Sequence, residues 1–158
     1  MTTLQRNEIF DEATTKKIAT KLQPTLTDLL ALGLITKQAH WNVIGPNFRP
    51  IHLHLDEIWE TIQLGADTVA ERLSTLAVSP SGQIGEISAE SSVSPIPLGF
   101  LTGDQVVDLM TDRIGHVCRG IRERMAKIED LDTVTADQLH AILDGLEKHL
   151  WMLRVQGM

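Results

Sequence analysis

The sequence predicts an all-α protein, a bundle of four long helices with a long crossover between the second and the third. Apolar residues recur at helical spacing through most of the chain. Short breaks follow the first and third periodic stretches, and one long segment rich in Ser, Pro and Gly follows the second. No stretch alternates like a strand, so no β-strand is expected. We expect a single domain over residues 1–158, with a flexible N-terminal tail at 1–10.

The first helix is predicted from Asp11 to Val43. Pro24 lies inside this stretch, and because the apolar phase continues across it, a kinked helix is favoured over a broken one. The pair Gly45-Pro46 ends the segment. The apolar repeat consists of Ile18, Leu22, Leu26, Leu29, Leu30 and Leu34.

The second helix is predicted from Asn47, a plausible N-cap, to about Ala77. Pro50 is tolerated there because it lies in the first turn. Residues 78–101 are rich in Ser, Pro and Gly, which predicts a long connection with room for one short helix.

The third and fourth helices each follow a capping-box pattern. Thr102 with Gln105 predicts the start of the third, which runs to about Asp130. Thr135 with Gln138 predicts the start of the fourth, which ends near Val155. Two short connections and one long crossover are the layout of a ferritin-like four-helix bundle.

Composition excludes several classes of protein. The formal net charge of −7 argues against a dedicated nucleic-acid surface. Cys118 is the single cysteine, so no intrachain disulfide can form, which fits a reducing cytoplasm. The N-terminal residues lack the apolar core of a signal peptide. No apolar run approaches the roughly 20 residues that cross a bilayer, so no membrane partner is expected.

Two pairs of metal-ligating residue types lie on the second helix. His52 with Asp56, and Asp67 with Glu71, are each spaced i,i+4 and share a helix face. Along the axis, His52 and Asp67 are roughly 22 Å apart at 1.5 Å per residue. One ion cannot span that distance. A second copy of the helix, antiparallel across a two-fold axis, would bring the first pair of one chain beside the second pair of the other, and would do so twice.

The donor types indicate the metal. Imidazole and carboxylate together suit Fe or Mn, and also Zn. Any one of these residues alone is more often a packed or solvated side chain than a ligand. The joint pattern is harder to explain as surface, because buried carboxylates are costly unless paired or bound to a cation. The chain contains no Glu-x-x-His, the pair typical of a ferritin site within one bundle, which favours the shared site.

The run KQAHWNVIGPNF at 37–48, followed by His52, Asp56 and DTVAERL at 67–73, resembles the Dps family of bacterial mini-ferritins. The resemblance covers nearly the whole chain. It implies a hollow homododecamer that oxidises Fe(II), typically with hydrogen peroxide or else O2, and stores Fe(III), thereby protecting against oxidative stress. From the donor types, Zn or Mn are expected as possible substitutes for iron. The implied metal ligands are His40, His52 and Asp56 from one subunit and Asp67 and Glu71 from the other.

The resemblance implies further roles that the residues alone leave open. Trp41 would lie beside the iron site, as an electron donor, as an interface anchor, or as both. The acids Asp130, Asp132 and Asp137 would line a three-fold pore for iron entry, which is favoured over the alternative of a solvated turn with N-terminal helix charges. His54 points away from His52 on the helix, so it is predicted to be a non-ligand.

The chain departs from the family at its tails. Many Dps proteins bind DNA through Lys- and Arg-rich tails, whereas the first 15 residues here hold only Arg6 as a basic residue, and the C-terminal RVQGM holds only Arg154. Phosphate binding needs several cations, so DNA binding is expected to be absent or weak. Two other functions stay open at this point, a nucleoid DNA-binding protein and a two-metal hydrolase side activity.

Overall fold

A computed structural model of the protein describes residues 9–157, and most of the predicted tail at 1–10 falls outside the described residues. The fold is an all-α bundle with a long crossover, as predicted. None of its helices is both long and apolar enough to cross a membrane, as far as residues 9–157 show. The helices are α1 (Glu12–Asn42), α2 (Phe48–Thr75), α3 (Ile84–Glu90), α4 (Gly103–Met125) and α5 (Thr133–Gln156), with two strands, β1 (Val43–Ile44) and β2 (Leu101–Thr102).

Helix α1 begins at a side-chain cap and continues through its proline. The Asp11 carboxylate accepts a hydrogen bond of 2.7 Å from the Thr14 amide, which satisfies a free N–H of the first turn. Pro24 lies inside the helix without ending it. The prediction of one helix across this proline is therefore confirmed.

The core lies between two helix pairs. Helix α1 packs mainly on α2, and α4 on α5, while α1 with α4 and α2 with α5 close the bundle. Most residues of the predicted apolar stripes face inward, and Ile18, Leu55, Ile62 and Ile114 are fully buried. Leu34, the last residue of the predicted repeat in α1, is an exception, because it lies on a face turned away from the core and is 63% exposed. Cys118 belongs to this core, where burial raises the pKa of its thiol to about 11, so the reactive thiolate is scarce at neutral pH.

The expectation of no strands is wrong in one place. β1 and β2 pair in parallel, with Val43 opposite Leu101 and Ile44 opposite Thr102. Two residues are too few to show an alternating pattern in the sequence. The pairing places the N-termini of α2 and α4 at the same end of the bundle, because α4 follows β2 directly and only three residues separate β1 from α2.

The helix ends near the second short connection also differ from the prediction. Helix α4 stops at Met125, and the chain continues through turns to Leu131. Helix α5 begins at Thr133 with Asp132 as its N-cap, so Thr135 lies inside the helix and donates its amide to the Asp132 carboxylate. The capping box at Thr102 and Gln105 is confirmed.

Side-chain hydrogen bonds fasten the crossover to the bundle. The Gln23 amide bonds to both backbone groups of Ser81, at 2.8 and 2.9 Å. Further along, buried Asp28 accepts from the Ser92 amide at 2.8 Å and pairs with Arg124 at 2.5 Å. The short helix expected in this segment is present as α3.

Candidate metal site

Two histidines meet where α1 turns into α2. His40 lies in the last turn of α1, and His52 lies in the first turns of α2. The connection between the helices is short, and Gly45 takes a φ of +109°, which an L side chain rarely adopts. The two imidazole rings are stacked, with centroids 3.6 Å apart and planes inclined by 24°.

Reciprocal hydrogen bonds fix the orientation of both rings. His40 Nδ1 lies 3.0 Å from the carbonyl oxygen of His52, and His52 Nδ1 lies 3.0 Å from the carbonyl oxygen of His40. A carbonyl oxygen only accepts, so each Nδ1 carries the hydrogen and donates it. In a neutral ring this leaves Nε2 with a free lone pair. Backbone carbonyls hold metal-ligating histidines in the same way.

Asp56 completes the group one helical turn after His52. Its Oδ1 lies 3.3 Å from His40 Nδ1, and His40, His52 and Asp56 offer ligand atoms all within 4.8 Å of one another. The carboxylate is also bonded by Lys37, whose Nζ lies 2.5 Å from Oδ1. The hydrogen bond from Lys37 lowers the pKa of Asp56, and the charge of Lys37 adds to the effect, so the carboxylate stays ionised.

Lys37 is a neighbour of this group that the sequence did not single out. Its ammonium lies 4.7 Å from the centre of the Trp59 ring, within cation–π distance. Lys37 and His40 are spaced i,i+3 on α1, and this spacing could have indicated that Lys37 shares a helix face with the predicted ligand. The Lys37 ammonium therefore provides the positive charge beside Asp56 that a bound metal ion would otherwise provide.

Asp67 and Glu71 lie elsewhere on the molecule. Both are exposed on the distal half of α2, and the three-residue group above does not include them. This placement agrees with the expectation that one chain cannot gather all five predicted ligands. The chain therefore presents one half-site of two imidazoles and a carboxylate, and separately a pair of acids.

The half-site suits a divalent transition metal. Two imidazole nitrogens and one carboxylate are ligands for Fe(II), Mn(II) or Zn(II). Three protein ligands leave positions open for further donors or for a reactant, which is the pattern of a reactive rather than a structural site.

Comparisons with known proteins identify the family. Residues 19–156 match the model of the ferritin-like domain. The solved Dps of Mycobacterium smegmatis superposes with a TM-score of 0.92 at 32% identity, over 99% of this chain and 94% of that one. The chain belongs to the Dps family of ferritin-like proteins. Iron storage and oxidative protection are the general functions of this family.

Similar proteins of the Dps family occur in other bacteria. DNA protection during starvation protein 2 of Deinococcus radiodurans is 40% identical over 88% of this chain. The matched region spans 58% of that relative's length. The corresponding protein of Mycolicibacterium smegmatis is 35% identical over 87% of this chain and 75% of its own length. The solved Dps of Deinococcus radiodurans has a TM-score of 0.88 at 38% identity, over 90% of this chain and 87% of that chain.

Trp41, the Dps residue expected beside the iron site, follows the half-site histidine. It is 68% exposed in the single chain. Phe48 and Ile44 are also exposed nearby, at 43% and 45%. Large apolar side chains grouped around a half-site are typical of a surface that another protein covers.

The three acids expected at the Dps pore have different surroundings. Asp130 and Asp137 are exposed. Asp132 is 5% exposed and is paired with Arg72 at 2.7 Å, and it also bonds the hydroxyl and the amide of Thr135. Burial would raise the pKa of Asp132, but its bonds to Arg72 and Thr135 and the charge of Arg72 hold it below the usual value. These contacts occupy the buried carboxylate of Asp132, so we no longer propose Asp132 as a pore residue.

Proposed function

We propose that this chain is a ferroxidase and iron-storage protein that works as a homo-oligomer, a dodecameric cage. Fe(II) is its substrate. Each reaction site takes His40, His52 and Asp56 from one subunit and Asp67 and Glu71 from a second. Hydrogen peroxide is the oxidant we favour, with O2 as the alternative.

The observation that carries the proposal is the reciprocal bonding of the two histidines. Because both Nδ1 hydrogens are donated to backbone carbonyls, both Nε2 lone pairs are available without any rearrangement. Together with the ionised Asp56, whose Oδ1 is bonded by Lys37, they offer Fe(II) a set of three donors. Two further carboxylates would raise the negative charge of the site and favour Fe(III), the product, over Fe(II).

The redox step balances when the shared site handles iron in pairs. Two ferrous ions each give up one electron, the O–O bond of one peroxide breaks, and two protons join the oxygens to form two waters. Carboxylates that bind Fe(III) more strongly than Fe(II) favour this direction. The product leaves the site for the interior of the cage, and the half-site returns to its starting state.

The surface around the half-site supports a shared site. Trp41 and Phe48 expose large aromatic surfaces close to His40 and His52, and such surfaces are normally covered in an assembly. An isologous two-fold contact would cover them and would also complete two metal sites at once. In that arrangement Trp41 would lie at the reaction site, where the indole can supply the second electron when only one Fe(II) is bound.

The direct test is peroxide-driven oxidation of Fe(II) under argon, followed by absorbance in the near ultraviolet. The wild-type chain is expected to consume Fe(II) rapidly, and the His40→Ala/Asp67→Ala double mutant is expected not to exceed the protein-free rate. His116→Ala, which removes a histidine outside the site, is the control and should match wild type. Equal rates in wild type and the double mutant would contradict the proposal.

A further inference from the structure

A second pair of histidines lies between α2 and α5. His54 and His149 are each 7% exposed, and His54 Nε2 lies 3.2 Å from His149 Nδ1. The rings come from different helices, with centroids 5.3 Å apart and planes inclined by 43°. His54 contacts α5 through His149, whereas His52 contacts His40 of α1.

A chain of hydrogen bonds determines where the hydrogens of this pair lie. The Thr61 hydroxyl donates to the Glu57 carbonyl at 3.1 Å, so it accepts from His149 Nε2 at 2.9 Å. His149 Nδ1 therefore carries a lone pair, and His54 Nε2 donates its hydrogen to it. His54 Nδ1 in turn faces the Gln156 side-chain amide at 3.1 Å. One hydrogen therefore lies between the two facing nitrogens.

The separation of these nitrogens suits a metal ion. Two imidazole nitrogens, each about 2.0–2.1 Å from a tetrahedral ion, lie about 3.3 Å apart. The observed 3.2 Å is close to that distance, so the helices need not move apart. Each ring must still turn, because in the hydrogen bond the two nitrogens point at each other and not at a shared ion. For an ion to replace the hydrogen, His54 must carry its hydrogen on Nδ1, which the Gln156 amide allows by turning its oxygen toward the ring. The Thr61 hydroxyl already holds His149 in the required form.

A carboxylate lies within reach of the pair. Glu57 follows His54 by three residues on α2, is exposed, and its charge acts on both imidazoles. Among residues 9–157, only His40, His52 and Asp56 already form a group of three ligands, so the Glu57 side chain must turn to join the two rings. An exposed glutamate has that freedom.

We propose that His54, His149 and Glu57 form a second metal site, within one chain, for a borderline divalent ion of the Zn(II) and Co(II) type. Two imidazoles and one carboxylate select such ions over Mg(II) and Ca(II). Unlike the ferroxidase site, it needs no second subunit. A hydrogen-bonded pair that only fixes the packing of α2 on α5 would bind no metal.

The experiment is a Co(II) titration of the full chain, followed by visible absorption and by equilibrium dialysis. It uses the His40→Ala/Asp67→Ala background, in which the other site is disabled. We expect one Co(II) per chain with the intense bands of tetrahedral cobalt. Adding His149→Gln should abolish this binding, and adding Glu57→Gln should weaken it by about tenfold or more, because a neutral amide is a poorer ligand.

Glu60→Gln is the matched control, because it removes another exposed glutamate of α2 and should leave Co(II) binding unchanged. The helical circular dichroism signal of each variant shows whether the bundle is intact. If His149→Gln fails to fold, the weakened Co(II) binding of Glu57→Gln provides the test. The proposal is overturned if the double-mutant background binds no Co(II) up to about 1 mM. It is also overturned if Glu57→Gln binds Co(II) as tightly as its parent. Neither result bears on iron oxidation by the wild-type chain.

Discussion

Lys37 Nζ lies 2.5 Å from Asp56 Oδ1, so a cation of the chain already bonds the carboxylate that the proposed iron would use. The same ammonium lies against the Trp59 ring. Iron that binds through Oδ1 must therefore displace Lys37. The ion pair keeps the Asp56 charge compensated before the metal arrives.

We predict that Lys37→Met strengthens Fe(II) binding. With the competing ammonium removed, the Fe(II) concentration that gives half the maximal initial oxidation rate should fall a few-fold, the magnitude expected for a partly exposed ion pair. Lys127→Met, which removes an exposed lysine outside the site, should leave that concentration unchanged. An unchanged value in Lys37→Met would mean that Lys37 does not compete with iron.

The shared site predicts complementation between two inactive variants. His52→Ala damages one half of each site and Glu71→Ala the other, so each alone should abolish rapid Fe(II) oxidation. When the two variants are unfolded, mixed and reassembled, some interfaces join two intact halves, and up to about half of the sites of a mixed pair are restored. The oxidation rate of the mixture measures this. A mixture as inactive as its parents would indicate a site within one chain.

Much of this fold was predictable because its signals are local. The apolar phase of α1 runs across Pro24, and the Thr102 capping box marks the start of α4. The two-residue strands were not predictable, because they depend on the pairing of Val43 with Leu101, which are distant in sequence. The start of α5 was misplaced for a similar reason, since Asp132 caps it while held by Arg72 of another helix.

At the candidate site, too, the local pattern was predictable from the sequence and the contacts between helices were not. The i,i+4 spacing of His52 and Asp56 on one helix predicted two donors that the structure brings together with His40. The role of Lys37 was not predicted, because a lysine on a helix is usually solvated. Only the tertiary contact of α1 with α2 brings it to Asp56. The pairing of His54 with His149 likewise depends on the packing of α2 on α5.

Asp132 is predicted to be a stability residue. Asp132→Ala leaves Arg72 buried without its partner and removes the cap of α5, at a cost of about 3–5 kcal/mol in the free energy of unfolding. Urea denaturation of the variant and wild type measures the difference. Asp130→Ala, which changes a neighbouring exposed acid, is the control and should stay within about 0.5 kcal/mol.

The contribution of Asp132 should depend on pH in a defined direction. The folded state holds the pKa of this carboxyl below its ordinary value of 3.8. An acid with a lowered pKa stabilises the fold fully above the unfolded value and loses that contribution as the pH falls through the folded value. The stability difference between wild type and Asp132→Ala should therefore be constant near neutral pH and shrink below about pH 3.8. A difference that grows on acidification would contradict this assignment.

DNA binding is predicted to be absent or weak. The chain carries a formal net charge of −7, and its terminal segments hold few basic residues. Binding to phosphates depends on several cations releasing counterions, and this dependence makes it sensitive to salt. We expect no gel retardation of duplex DNA at neutral pH and about 0.15 M salt. A tight complex under those conditions would reveal a basic surface created by assembly.

The last prediction concerns the entry of iron, which we propose to occur at a three-fold pore lined by Asp130 and Asp137. Both are exposed, whereas Asp132 is bound to Arg72 and must be left intact in any test. Three copies of two acids facing one channel would concentrate Fe(II) by electrostatic attraction. The Asp130→Asn/Asp137→Asn variant should therefore oxidise iron more slowly when Fe(II) is limiting, and the deficit should shrink as salt screens the attraction.

Initial oxidation rates across Fe(II) concentrations, at low and high salt, measure this effect. At saturating Fe(II) the variant should match wild type, because the reaction site itself is unchanged. Asp112→Asn, which removes an exposed acid of α4, is the control. Equal rates for wild type and variant at limiting Fe(II) and low salt would show that Asp130 and Asp137 belong to a solvated turn.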